Sequence, residues 1–260
     1  MAEAPFLSIV IPAYNEARRL PATLTQVQAW IATQPFSVEV LVADDGSSDA
    51  TATLAEQQGV RVIRLDHRGK GFAVRAGALA AHGAYILLCD ADLATPITEW
   101  DKLWSHLAAG ADVAIGSREG LGAQRIGEPW HRHVMGRVFN LLVHGIALRG
   151  IQDTQCGFKA MPRHVAQDLF QRVRIYGANA RPVQGAAVTA YDVELLFLAQ
   201  QQGYRISEVP VLWHYGEETK VDPLRDSWRN LRDVVQVRLN AWRGRYRTAP
   251  EIPSEHTPTR

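Results

Sequence analysis

"VEVLVADDGSSDATATLAEQQGVRVIRLD", residues 38–66, decides the fold. Its first seven residues are β-branched and apolar with little polar alternation, the pattern of a strand buried on both faces. Asp45-Gly46 then makes a turn, and Ser47, Ser48 or Asp49 can cap the helix-like stretch 48–58. "VRVIRLD" (60–66) is a second buried strand. Working outward, the same beat returns in "FLSIVIPAY" (6–14), "AYILLCD" (84–90) and "ADVAIGS" (111–117), with helix-like stretches at 16–33, 70–82 and 97–109 between them. Alternating strand and helix predict an α/β fold, a Rossmann-like and mostly parallel sheet flanked by helices.

Composition sets bounds around this. The chain has 260 residues, 47% hydrophobic and 21% charged, which are globular values and exclude a disordered chain. A net charge of +1 identifies no partner by itself. Cys89 and Cys156 are too few and too far apart for a metal knuckle or a disulfide scaffold, so a reducing interior fits. The first residues lack a basic n-region, and Pro12 interrupts their apolar run. No stretch reaches the ~18 continuous apolar residues of a membrane span, so a soluble or peripheral protein is expected. Residues 248–260, rich in Pro, Thr and Glu, read as a disordered tail.

In a parallel sheet, ligands bind beyond the carboxyl ends of the strands. Four consecutive ends here are polar: Pro12-Ala13-Tyr14-Asn15-Glu16, Asp44-Asp45-Gly46, His67-Arg68-Gly69-Lys70-Gly71 and Asp90-Ala91-Asp92. Any one of them alone is an ordinary cap, turn or solvated loop. Together they form a site. Asp90 and Asp92 straddle one residue, so on extended backbone they point the same way and can share a hard cation. Two carboxylates plus substrate phosphates is the usual way Mg2+ or Mn2+ is held. Lys70, flanked by glycines that remove obstruction, can approach a phosphate closely. The spacing fits neither G-x-x-x-x-G-K-[ST] nor a G-x-G-x-x-G after the first strand, which excludes a P-loop and disfavours a dinucleotide oxidoreductase. Tyr14 and Asp44 suit a base pocket, an aromatic face beside a carboxylate that accepts an imide N–H, and uracil fits that pairing.

The order "VIPAYNE", "ADDGSSDAT", "HRGKGFAVRAG", "CDADLATP", "GSR" and "DTQCGFKAM" resembles the inverting GT-A glycosyltransferases of family 2, with the dolichyl-phosphate β-glucosyltransferases as the nearest branch. The resemblance covers roughly residues 6 to 235. It implies a single GT-A domain over 1–247, with a nucleotide-sugar half (6–118) and an acceptor half (119–247). It also implies that Pro12, Ala13, Tyr14, Glu16, Asp44 and Asp45 hold the nucleotide, that Lys70 and Asp90 meet the pyrophosphate beside Ala91, and that Asp92 meets the metal. Asp45 either faces the nucleotide or backs the turn.

The acceptor side follows from chemistry. A lipid phosphate is already ionised near neutral pH, its second pKa being about 6, so it needs cations rather than a strong base. Arg118, Arg137 and Lys220 are the candidates, and Gln155 joins the same acceptor set. A sugar hydroxyl would instead need a carboxylate, for which Asp192 and Glu194 stand one residue apart at a helix start, where they could equally cap it. Residues 174–190, Gly-rich and without period, read as a mobile loop. Residues 130–150 form an amphipathic helix, core-packing or interfacial. A second stripe runs through Leu224, Trp228, Leu231, Val235, Leu239 and Trp242; seven Arg face Asp226 and Asp233 between 225 and 247, a local net of +5. Such helices suit an anionic membrane surface. No nucleic-acid module is recognisable.

The expectation is therefore a metal-dependent inverting transferase on the cytoplasmic membrane face. It would move glucose from UDP-glucose to dolichyl or polyprenyl phosphate. The alternatives are a sibling using GDP-mannose, a UDP-N-acetylhexosamine or a hydroxyl acceptor, and a non-catalytic nucleotide-sugar or membrane-binding module.

Overall fold

A computed structural model describes residues 4–129, 147–148, 150–183, 185, 190–216 and 223–247; for 223–228 it describes the backbone. In chain order the elements are β1 (Leu7–Ala13), α1 (Leu20–Ile31), β2 (Val38–Asp44), α2 (Thr51–Gln57), β3 (Arg61–Arg64), α3 (Lys70–Ala80) and β4 (Tyr85–Leu88). A 3-10 turn (Ile97–Glu99) leads into α4 (Trp100–Ala108), then β5 (Val113–Ser117) and β6 (Gln124–Ile126). β7 (Lys159–Pro162), α5 (Arg163–Arg172), α6 (Tyr191–Gln201), β8 (Ile206–Pro210), β9 (Leu212–His214) and α7 (Pro223–Trp242) follow.

The seven-stranded sheet has the order β3-β2-β1-β4-β7-β5-β8, and β6 pairs with β9 in a small parallel ribbon. All five strands read from the apolar runs are present. β7 is the exception to the parallel rule: it runs antiparallel between β4 and β5, with Lys159 opposite both Leu88 and Ile115. Its first residue therefore lies at the same edge as the carboxyl ends of its neighbours. Strand order reverses between β1 and β4, which opens the crevice where ligands of such sheets bind.

Alternating residues of β1 fill two cores, as a strand covered on both faces requires. Val10 packs with α3, α5, α6 and α7; Leu7, Ile9 and Ile11 pack with α1, α2 and α4. The helix expected from residue 16 starts at Leu20 instead. Residues 15–17 are held back by donating backbone N–H groups to Ser47, Thr51 and Asp49 across the crevice. No helix among the described residues is long and apolar enough to cross a membrane.

α7 turns its two sides differently from a core helix. Val234 and Val237 are fully buried against α6, while Val235 (41% exposed), Leu239 (36%) and Trp242 (86%) face outward. The described part of the stripe read in the sequence is thus the outer face. Residues 130–146 and 149, which carry most of the other amphipathic stretch, lie outside the described residues.

Candidate active site

Each polar strand end reaches the carboxyl edge, but the side chains there do different things. Asp44, the last residue of β2, is 3% exposed. Its Oδ2 accepts the backbone N–H of Ser47 at 3.2 Å. Its Oδ1 is buried without a hydrogen-bond partner among the described residues. A buried carboxylate oxygen left unpaired costs about 1–3 kcal/mol or more, so it marks a place for an incoming donor. Tyr14 follows Ala13, the β1 residue opposite Asp44, and stacks on His67 with ring centroids 3.8 Å apart.

Asp45 backs the turn. Its two oxygens accept the backbone N–H groups of Arg68 (2.9 Å) and Gly69 (2.8 Å), and His67 Nδ1 lies 2.8 Å from Oδ2. Burial pushes its carboxyl up against the pull of those donors and of His67. Of the two readings left open for Asp45, the geometry thus selects the structural one: it builds the 67–69 turn that delivers Lys70. The adjacent carboxylates of the opening stretch coexist because Asp45 is ringed by donors, whereas Asp44 keeps one oxygen for a ligand.

The glycines beside Lys70 also differ from the expectation. Gly69 sits at φ 97°, in the region that favours glycine, and precedes the first turn of α3. Gly71 is small for packing, not for phosphate approach: a Cβ there would lie 2.7 Å from Tyr176 Cγ and from Tyr191 Cβ.

Lys70 Nζ lies 2.6 Å from Asp90 Oδ1. Burial works to lower the Lys70 ammonium, and the carboxylates of Asp90, Asp192 and Asp92 outweigh it, so it is held well above its usual range. Asp90 is lowered for the reciprocal reason: burial opposes its charge, and Lys70 outweighs burial. Asp92 is exposed, and its Oδ1 accepts the Ala94 N–H at 3.1 Å. Burial of its surroundings and then the Asp90 charge push its carboxyl up. Ala91, between them, is buried, and its carbonyl accepts the Thr23 hydroxyl at 2.7 Å. Gly157 makes the room Asp90 needs, since a Cβ there would fall 2.1 Å from Asp90 Oδ2.

The acceptor-side residues are more heavily paired than the sequence suggested. Arg118 grips the buried Asp153 through Nε (2.7 Å) and Nη2 (2.9 Å), and its backbone N–H adds a third bond at 2.9 Å. Burial raises and Arg118 then overwhelmingly lowers the Asp153 carboxyl, which ends far below the carboxylate range. The other face of the guanidinium stands 5.2 Å over Trp213. Arg118 is therefore a fixed cation, not a mobile one. The Gln155 backbone N–H donates to Asp153 at 3.2 Å. Pro12, Ala13 and Glu16 line the β1 end, where the Arg19 guanidinium grips Glu16 at 2.8 Å. Arg137 and Lys220 lie outside the described residues.

Neither acid at the start of α6 caps it: the N-cap is Ala190, and no side-chain cap hydrogen bond is made there. Asp192 is paired with the buried Lys159 ammonium. Glu194 turns inward, accepting the backbone N–H groups of Arg174 (2.8 Å) and Ile175 (3.1 Å) and the Tyr246 hydroxyl (2.7 Å). That removes Glu194 from the reaction side. The described part of the 174–190 stretch is likewise anchored rather than loose: besides Glu194, Arg68 Nη1 donates to the Ala178 carbonyl at 3.1 Å and Val183 N–H to His67 at 3.1 Å.

Sequence reading missed Lys159, Asp153 and Gly157. One signal was available: a lone lysine inside the apolar run "CGFKAM".

No group of three or more His, Cys, Asp or Glu that could hold a metal ion occurs among the described residues. Asp90 and Asp92 nevertheless fit one supplied with a ligand: they flank Ala91 at the sheet's carboxyl edge, and Asp92 is exposed, its carboxyl raised by burial of its surroundings and by the Asp90 charge.

Known proteins resemble this arrangement. A Drosophila melanogaster protein named dolichyl-phosphate beta-glucosyltransferase is 38% identical over 262 residues, which span 91% of this chain and 77% of the relative. Mannosyl-3-phosphoglycerate synthase from Rubrobacter xylanophilus superposes with a TM-score of 0.66 at 19% identity, over 96% of this chain and 79% of that one. Glucosyl-3-phosphoglycerate synthase from Mycobacterium tuberculosis, solved with Mn2+, uridine-diphosphate and glucosyl-3-phosphoglycerate, gives 0.61 at 20% identity, over 96% and 82%. At such identities the two structures speak to the fold, a GT-A arrangement. Residues 8–170 match the family described as Glycosyl transferase family 2, and the chain belongs to that family.

Proposed function

We propose that this protein transfers glucose from UDP-glucose to dolichyl or a related polyprenyl phosphate, with inversion at the sugar carbon. The observation that carries the donor is the orphaned, buried Asp44 Oδ1 at the end of β2, opposite Ala13 and so next to Tyr14 at the end of β1, which suits the imide N–H of uracil. The name of the Drosophila relative supports the acceptor. In this reading residues 6–118 handle the donor and residues 119–247 the acceptor, within one domain.

Lys70, aligned by the 67–69 turn, takes the diphosphate as Asp90 yields it. Asp90 and Asp92 would hold a divalent cation, Mg2+ or Mn2+, which when bound neutralises charge on the departing nucleoside diphosphate. The exposed Asp92, with its carboxyl raised by burial of its surroundings and by the Asp90 charge beside it, supports that role. Arg118, oriented by Asp153, presents a positive charge where β5 ends, and Arg137 and Lys220 complete the acceptor set. The reading also includes reversible docking at the cytoplasmic membrane surface. The outward Val235, Leu239 and Trp242, with Arg232, Arg238 and Arg243 exposed on the same helix, support it.

The test is a panel of nucleotide sugars with a short prenyl phosphate and either metal. Release of UDP from UDP-glucose only when the prenyl phosphate is present is the expected result. Equal release with GDP-mannose, or no acceptor dependence, refutes it.

A further inference from the structure

Lys159 is fully buried (0% exposed), yet it opens a strand at the ligand edge. Its ammonium donates to the Cys156 carbonyl and to Asp192 Oδ1. Lys70 responds to the charge of Asp192, and Asp90 to that of Lys159, so the Lys159–Asp192 and Lys70–Asp90 pairs belong to one charge cluster. Nothing in the donor role proposed above uses the Lys159–Asp192 pair.

Glycosyl transfer forms a bond between the sugar C1 and an acceptor oxygen and breaks the C1–O bond to the nucleoside diphosphate, which leaves with the bonding electrons. If the acceptor is a hydroxyl, its proton must pass to a base as the bond forms. If it is a phosphate monoester above about pH 6, the attacking oxygen carries no proton to lose. Asp192 is the carboxylate placed by chain position to serve a hydroxyl, since Glu194 points away. Its Oδ1, however, is already held by the Lys159 ammonium.

We propose that Lys159 restricts this site to acceptors that arrive ionised, by engaging the Asp192 carboxylate that a hydroxyl acceptor would need as its base. Lys159 is thus a positioning residue that sets acceptor class, phosphate over alcohol. This rests on the glucosyl-transfer reading above and adds to it the reason why a phosphate is chosen.

The experiment compares wild type, Asp192→Asn, Lys159→Met and the double variant. UDP-glucose is the donor, a short prenyl phosphate and the matching prenol are the acceptors, and the pH runs from about 5.5 to 9, across the phosphate ionisation. Asp192→Asn should keep kcat toward prenyl phosphate within about tenfold of wild type and leave the pH profile unchanged, because removing a true general base would cost about 10²–10⁴-fold. Lys159→Met should raise the ratio of prenyl glucoside to prenyl phosphoglucose by at least about tenfold, increasingly so at high pH, and adding Asp192→Asn should remove that gain. A larger fall or an altered profile in Asp192→Asn overturns the proposal. So does a folded Lys159→Met with an unchanged ratio. If Lys159→Met does not fold, Lys159→Gln carries the same comparison, and an unchanged product ratio in it overturns the proposal. Wild type that glucosylates prenol, or neither acceptor, refutes the glucosyl-phosphate reading itself.

Discussion

Gly157→Ala adds a single methyl group and should disable the donor site without unfolding the protein. The glycine is not at positive φ, so the substitution carries no backbone strain and its effect is steric. The new Cβ would sit 2.1 Å from Asp90 Oδ2 and 2.5 Å from its Cγ, whereas ordinary contact begins at 3.4 Å. The carboxylate must therefore move by about 1.3 Å, the difference between 3.4 and 2.1 Å, which breaks its 2.6 Å pairing with Lys70. A misplacement of about 1 Å in a reacting constellation costs about 10²-fold, which corresponds to about 2.7 kcal/mol of barrier. Asp90 is a third exposed and has room to swing outward, so the melting temperature should stay near wild type. The assay is acceptor-dependent UDP release, read together with a thermal melt and calorimetric titration of UDP with Mn2+. Activity within about threefold of wild type would refute the reasoning, because Asp90 would then work from a displaced position. A large loss of stability would refute it differently, by showing that Gly157 serves the core.

Asp44→Ala should weaken UDP about tenfold, the equivalent of ~1.4 kcal/mol for one base-directed hydrogen bond, and unchanged calorimetric affinity would remove Asp44 from the pocket. Asp153 makes stability depend on acid. Its folded carboxyl lies below its unfolded value of about 3.9, because Arg118 outweighs burial. The stabilisation is therefore complete above about pH 4 and lost as pH falls through the folded value. Asp153→Asn should lower stability at pH 7 by roughly 3 kcal/mol, the lower end for a broken buried pair since Arg118 is one-fifth exposed, and the gap to wild type should begin to narrow below about pH 4 and close only as pH falls through the folded value. Parallel melting curves across that range would count against the pair. Replacing Arg232, Arg238 and Arg243 with Gln should reduce co-sedimentation with anionic vesicles at low salt, at about 1 kcal/mol per arginine near the surface, and should spare transfer to a short soluble prenyl phosphate. Equal vesicle binding would reassign the outer face of α7 to another partner.

What the sequence made legible was whatever is encoded within a few residues. The apolar runs gave β1 to β5, and the strand-end carboxylates fell where a parallel sheet puts its ligand edge. β7 escaped because its residues, Lys-Ala-Met-Pro, include no β-branched one, and its antiparallel entry is fixed by neighbours about 44 to 77 residues away in the chain. The same reason explains the errors at the site. Whether a carboxylate is available depends on which cation or N–H reaches it, and those partners are remote: Arg118 and Asp153 are 35 residues apart, Lys159 and Asp192 are 33, and Glu194 and Arg174 are 20. Asp44 and Asp45 are adjacent in sequence and equivalent by composition, yet the turn at 67–69 consumes one and leaves the other with an orphaned oxygen. Residue type and strand position thus select the candidates, and tertiary pairing sorts them. On the reading proposed above, Asp44, Asp90 and Asp92 remain for ligand, while Asp45, Asp153, Asp192 and Glu194 hold the frame. The same reading makes acceptor choice depend on Lys159, a residue whose charge is invisible from the surface and whose only signature in the chain is a lysine where a strand buried on both faces should have none.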